Sequence, residues 1–182
     1  AASAIIKTQL LKETERRAQQ LASLNEINRK LTSTLELQPL LNSILESAVD
    51  ILNTEAGSLF LVDERTDELI FQVTVGPVSH NLVGQRLAPG TGFVGSAVIN
   101  RQPIIINNVN TSPTWNPLPD KQTGFTTRGI LAVPLESKDR VIGVIEIINK
   151  KDGNPFTTED QNLLTAFAGQ AAVAIDNARL YT

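Results

Sequence analysis

The sequence predicts an α+β fold: one mostly antiparallel sheet of about six strands, with helices packed on one face. Three observations predict it. Helical patterns occupy both ends of the chain and β-branched runs occupy the middle. Val141–Ile148 is dominated by β-branched residues and is apolar on both alternating faces, as in a strand covered on both sides. Two strand pairs are joined by the short polar turns E-R-T-D and S-K-D and read as hairpins.

Residues 5–34 read as one helix without Gly or Pro. Leu10, Leu21, Leu24, Leu31 and Leu35 fall at heptad-like spacing, with Arg17 and Asn28 as polar members of the same stripe. Such a helix extends roughly 45 Å, more than a compact domain of this size needs. The expectation is a projecting coiled coil that dimerises and carries a signal; an amphipathic helix packed only on its own domain is the alternative. A second helix is expected over Pro39–Leu52, with Pro in its first turn and Leu40, Leu41, Ile44, Leu45, Ala48, Val49 and Leu52 on its apolar face. The chain thus divides into 1–34, a signalling and dimerisation helix, and 35–182, a domain that ends in a long C-terminal helix.

Strands are expected at Ala56–Asp63, Glu68–Val75, 83–88, Pro103–Asn107, Gly129–Glu136 and Arg140–Asn149. A short helix fits Phe93–Asn100. The long polar segment Asn108–Thr126 carries three prolines and the only Trp, Trp115, and loops of that length are usually functional. A final helix spans about Thr157–Tyr181, capped by Thr157 or Thr158, acidic at Glu159 and Asp160, and rich in alanine.

Composition excludes several chemistries. Sixteen Lys and Arg against nineteen Asp and Glu give a net charge of −3, and the pI is about 5.2. That argues against electrostatic binding of nucleic acid or of anionic membrane. No apolar run reaches membrane-spanning length and no signal peptide is legible, so a cytoplasmic placement is expected. Cysteine is absent, which removes disulfides, thiolate nucleophiles, cysteine metal sites and thioether-linked chromophores. The single histidine, His80, sits in the loop sequence G-P-V-S-H-N and reads as an exposed residue rather than a base or haem ligand. With no nucleophile–base pair, phosphate loop with Lys or metal cluster, the chain does not read as an enzyme. The acidic group Asp63, Glu64, Asp67 and Glu68 reads as a solvated turn rather than a metal site.

Two features of one segment point to a pocket: Glu146 within the strand Val141–Ile148, and the polar pair Asn149-Lys150 that follows it. Glu146 shares a strand face with Ile142, Val144 and Ile148, and a carboxylate in an apolar layer needs a cation, a donor or a ligand. Gly90-Thr91-Gly92-Phe93-Val94-Gly95 matches G-x-G-x-x-G, but no acidic residue lies between Gly90 and Asp120 and the following helix is short. Dinucleotide binding is therefore not expected there, although a Gly-rich turn entering a helix offers N–H groups to an anion.

From about Leu24 to Tyr181 the chain resembles a GAF domain. The matching pieces are T-L-E-L-Q-P-L-L, A-G-S-L-F-L-V-D, P-G-T-G-F-V-G, T-G-F-T-T-R-G-I-L-A-V-P-L, V-I-G-V-I-E-I-I-N-K and P-F-T-T-E-D-Q-N-L-L, in that order. Within the family the resemblance is closest to regulatory domains of cyclic-nucleotide phosphodiesterases and adenylyl cyclases. Their signature Asn-Lys, Phe, Asp-Glu stands here as Asn149, Lys150, Phe156 and Asp160, followed by Gln161 in place of Glu. The resemblance implies that Lys150 and Asp160 form a salt bridge that supports the pocket. It also implies a pocket under the long loop, on the sheet face away from the packed helices.

Carried over residue by residue, the resemblance implies ligand contacts at Ser58, Phe93, Val94, Thr123, Thr127 and Glu146. Trp115 belongs to the loop over the site, and Arg128 is a candidate partner for Glu146 or for a ligand phosphate. For Ser58, Thr123 and Thr127, hydrogen bonding to local backbone is the competing role. Guanine-specific relatives carry an Asp where this chain has Thr74-Val75, so cyclic AMP is favoured over cyclic GMP, with another small metabolite as a further candidate. No covalently bound cofactor is expected. The expected function is a small-molecule sensor relaying its signal through dimeric terminal helices; the alternative is a dimerisation module without a ligand.

Overall fold

The computed structural model describes residues 2–77, 82–111 and 125–180. Helix α1 spans Ala2–Ile51, followed by strands β1 (Thr54–Val62), β2 (Leu69–Val75) and β3 (Arg86–Leu87). Helix α2 (Gly92–Asn100), strand β4 (Ile104–Ile106) and a 3-10 turn (Val109–Thr111) come next. Strands β5 (Ile130–Ser137) and β6 (Arg140–Lys150) and helix α3 (Thr158–Leu180) complete the order. The six strands form one sheet in the order β3-β2-β1-β6-β5-β4, antiparallel at every pairing. The α+β class expected from the sequence is the fold observed.

Alternation along the strands feeds two cores. Leu59, Leu131, Ile145 and Ile147 face α1 and α3, where they meet Leu41, Leu45, Leu164, Ala171 and Ile175. Their neighbours Phe60, Ala132 and Val144 face the other way and meet Phe93, Val94 and Ala97 of α2. Both long helices therefore share one face and the short α2 lies on the opposite one. Gly57 lets α1 lie close to β1: a Cβ there would stand 2.8 Å from the Val49 side chain.

Three expectations are corrected. The two N-terminal helices are one, with Pro39 inside a 50-residue α1. Pro39 removes one N–H and crowds the preceding turn at a cost of about 3 kcal/mol. Leu37, Leu41, Ile44, Leu45 and Ala48 hold the helix to the sheet around that point, while Leu40, expected on the same face, is 47% exposed. The strand expected at 83–88 shrinks to Arg86–Leu87, because Leu82–Gln85 closes a turn through the Gln85 N–H to the Leu82 carbonyl. Ile142 does not share a face with Val144: it belongs to the helix-side core. Leu135 and Glu136 pair with Gly143 and Val141, so Ile142 is the extra residue of a β-bulge that resets the alternation.

At 1.5 Å per residue α1 is about 75 Å long. Residues 11–21 are all exposed, including Leu11 and Leu21 at 62% each. The side chains of Leu10, Leu24, Asn28, Leu31 and Leu35 lie outside the described part, as do His80, Trp115 and Thr123. No helix among the described residues is long and apolar enough to cross a membrane.

Leu45→Ala should cost about 3 kcal/mol of unfolding free energy, because Leu45 is fully buried in the helix-side core. Leu21→Ala should change the stability of the single chain by less than about 0.5 kcal/mol. Urea unfolding at low protein concentration measures both.

Candidate functional site

A polar row crosses the α2 face of the sheet. Ser58 of β1 lies opposite Thr74 of β2 on one side and Glu146 of β6 on the other. Glu146 in turn lies opposite Ala132 of β5. Directly opposed residues share a face, and Ala132 assigns this row to the face of Phe60 and Val144. Ser58 is 2% exposed and Thr74 is 6% exposed, while Glu146 is half-buried. Among the described residues the Thr74 Oγ1 finds no hydrogen-bond partner. A buried hydroxyl left unpaired costs about 1–3 kcal/mol. Valine would fill the same place in a plain core without that cost.

Helix α2 supplies the apolar wall. Phe93 and Val94 are buried in the same layer as Ala132 and Val144. Their position depends on the glycines of P-G-T-G-F-V-G. Gly90 takes φ +77°, and a Cβ on Gly95 would lie 2.4 Å from the Gly90 carbonyl carbon. The motif is a close approach of turn and helix, and needs no dinucleotide to explain it.

The Asn149 side chain fixes the segment leading out of the long loop. Its Oδ1 accepts from the Arg128 and Gly129 N–H groups at 2.7 and 3.0 Å. Its Nδ2 donates to the Thr126 carbonyl at 2.8 Å and to Glu55 Oε2 at 3.0 Å. All four bonding positions of the amide are used. Asn149 has φ +60°, a conformation that Asn tolerates better than other non-glycine residues. Buried Thr127 is held between these anchored neighbours.

The Lys150–Asp160 salt bridge implied by the family resemblance is present, with Nζ 3.0 Å from Oδ2 and both side chains largely buried. The same Asp160 oxygen accepts from the Thr157 N–H at 2.9 Å, and Thr157 Oγ1 accepts from the Asp160 N–H at 3.2 Å. This reciprocal cap starts α3. Phe156 is buried between the sheet and the helices, and its N–H donates to Asn107 Oδ1 at 2.8 Å. Burial raises the Asp160 carboxyl, but the Thr157 amide and the Lys150 ammonium outweigh it and leave it below the usual carboxylate range. Glu55 is likewise raised by burial but lowered further by Arg128 and Asn149, so it too ends below that range.

Arg128 departs from the expectation. Its guanidinium pairs with Glu55 Oε1 at 2.9 Å rather than with Glu146. Glu55, at the start of β1, stands beside Asn149, and the adjoining backbone is anchored there, which turns the arginine toward the strand end. The acidic turn is neutralised by cations: Arg86 bridges Asp63 and Glu68, and Glu64 pairs with Arg140 and Arg179. Among the described residues no cluster could hold a metal ion.

Thus the row unites Ser58 and Glu146 and α2 brings Phe93 and Val94 to the same layer, while Thr127 and Arg128 lie on the segment that Asn149 anchors at the strand end. Trp115 and Thr123 lie outside the described residues. Sequence reasoning missed the parts played by Thr74, Glu55 and Asn107. A threonine ending a half-buried strand carries little signal until the register sets it opposite Ser58.

A family model described as "GAF domain" matches residues 34–176. The chain is 28% identical over 170 residues to the dual 3',5'-cyclic-AMP and -GMP phosphodiesterase 11 of Drosophila melanogaster. It is 31% identical over 147 residues to a probable 3',5'-cyclic phosphodiesterase, pde-5, of Caenorhabditis elegans. These matches cover 86% and 76% of this chain but only 12% and 20% of the relatives. Among solved structures it resembles the GAF domain of a phosphoenolpyruvate-protein phosphotransferase from Coxiella burnetii, with a TM-score of 0.72 and 22% identity over 86% of this chain and 96% of that one. A GAF domain/HD domain protein from Geobacter sulfurreducens gives 0.69 and 18%, over 83% of this chain and 98% of that one.

Asn149→Asp should destabilise the fold by about 3 kcal/mol at pH 7, because it sets a carboxylate oxygen against Glu55 and the Thr126 carbonyl. The folded pKa of Asp160 is depressed, so its stabilisation is present above the unfolded carboxylate value and is lost as pH falls through the folded one. Asp160→Asn should therefore be less stable than the parent at pH 7, by about 2 kcal/mol, with the gap closing below about pH 4. Denaturation at a series of pH values reads both effects.

Proposed function

The chain belongs to the GAF family, and we propose that it is a regulatory, non-catalytic module that senses a small molecule on the α2 face of its sheet. The observation that carries this reading is the polar row Thr74–Ser58–Glu146, with a buried hydroxyl that lacks a partner among the described residues. A ligand over the row supplies a bond to Thr74 and Ser58, presents a donor to Glu146, and lays its apolar part on Phe93 and Val94. Thr127, with Trp115 and Thr123, completes the proposed contact set. Arg128 joins it only by exchanging Glu55 for an anionic group of the ligand.

A cyclic nucleotide is the ligand of choice, because both curated relatives are named as cyclic-nucleotide phosphodiesterases. Cyclic AMP ranks before cyclic GMP, since position 74 offers a hydroxyl and not a carboxylate. Binding passes to the helices through Asn149 and the Lys150–Asp160 clasp, which ties β6 to the start of α3. The output is carried by a homodimer in which residues 1–34 pair and 35–182 sense, in the cytoplasm. Exposed Leu11 and Leu21 support the pairing. The same exposed helix favours a second reading, a dimerisation module without a ligand.

Thermal unfolding titrated with cyclic AMP, cyclic GMP and a panel of small metabolites separates the two. A ligand at one hundred times its dissociation constant adds about 2.7 kcal/mol. Thr74→Val should stabilise the empty domain by about 1 kcal/mol and weaken the ligand about tenfold. No shift with any ligand, together with an unaltered Thr74→Val stability, leaves the dimerisation reading. Leu11→Lys combined with Leu21→Lys should shift the chain toward monomer in sedimentation, and an unchanged dimer counts against pairing through this helix.

A further inference from the structure

At the end of the sheet away from Asn149, helix α3 is held by polar ties across a cleft. The cleft measures about 840 Å³ and is lined by Leu61, Ile70 and Val173 together with charged groups. The Asp176 carboxylate accepts a hydrogen bond from Ser137 Oγ. Arg179 Nη1 stands 3.0 Å from Glu64 Oε1, and Arg179 Nη2 donates to the Val62 carbonyl at 3.4 Å. The same Glu64 oxygen pairs with Arg140. One carboxylate thus joins the turn after β1, the β5–β6 turn and the last turn of α3.

The β5–β6 turn carries strain. Lys138 and Asp139 take φ +50° and +66°; Asp tolerates this left-handed region, but Lys rarely adopts it. Such a conformation persists where its surroundings hold it. Its two flanking residues, Ser137 and Arg140, are the ones tied to Asp176 and Glu64.

We propose that Glu64, Arg140, Arg179, Ser137 and Asp176 form a releasable latch that sets the position of the last two turns of α3, from Val173 onward. The latch is weak enough to open. The Glu64 and Arg140 side chains are 53% and 56% exposed, so their pairing is screened by solvent and salt. Leu164, Ala168, Ala171 and Ala172 are buried in the earlier part of α3, while from Val173 onward only Ile175 and Ala178 are buried among the described residues and Val173 is 60% exposed beside the cleft. The first part of the helix is therefore anchored by a continuous buried face and by the Lys150–Asp160 clasp, and in the last two turns the latch adds to the two buried contacts of Ile175 and Ala178. Local opening of a helix end under such conditions needs no global unfolding. The latch rests on this geometry alone and stands whether or not the polar row binds a ligand.

The test is amide hydrogen exchange on the full chain, comparing the parent with Glu64→Gln and, separately, with Ser137→Ala. The latch predicts that exchange at residues 174–180 rises about threefold or more in each variant, while residues 160–170 keep the parental rates. It also predicts that raising the salt concentration speeds exchange at 174–180 in the parent and has no such effect in Glu64→Gln. Parental rates at 174–180 in both variants overturn the proposal. A uniform rise along the whole of α3 overturns it equally, because it reports general destabilisation and not release of one end.

Discussion

The arrangement depends on one saturated side chain. Asn149, next to last in β6, takes a left-handed conformation and closes four hydrogen bonds while 2% exposed. It locks Thr126 to Gly129 against the strand end and reaches Glu55 on β1. The next residue, Lys150, reaches Asp160 at the start of α3. Two adjacent side chains thus join the edge of the proposed pocket to the sheet and to the helical layer. Asparagine is the residue that offers two donors and two acceptors and also tolerates φ near +60°.

The two cores divide the work. The helix-side core is apolar and close-packed, and it fixes α1 and α3 on β1, β6 and β5. The α2-side core accepts a polar row in which the buried Thr74 hydroxyl has no partner among the described residues. Retaining buried Ser58 and Thr74 there has a physical reason if something polar lies against them. Helix α3 runs between a clasp at its first turn and an exposed set of ion pairs at its last, about 28 Å apart at 1.5 Å per residue.

Much of this was legible in the sequence. The apolar faces of Val141–Ile148 gave away a central strand, and Glu146 stood out as the polar residue within it. The Lys150–Asp160 bond followed from the resemblance to the family and is present. Register effects were not legible. The bulge at Ile142 reverses the alternation at one end of β6, and no propensity marks it. Pro39 looked like a helix start, yet tertiary packing carried α1 through it. Arg128 looked available to Glu146, but Glu55, distant in sequence, lies 2.9 Å from it. Thr74 acquired meaning only when pairing set it opposite Ser58.

The most direct measurement of the central claim is a nuclear magnetic resonance titration of backbone amides with cyclic AMP. If the polar row is a ligand site, the amides of Ser58, Thr74, Ala132 and Glu146 shift saturably, and those of Arg128, Gly129 and Asp160 shift with the same dissociation constant. An undisturbed row, or shifts confined to residues far from it, would contradict a cyclic-nucleotide site on this face of the sheet.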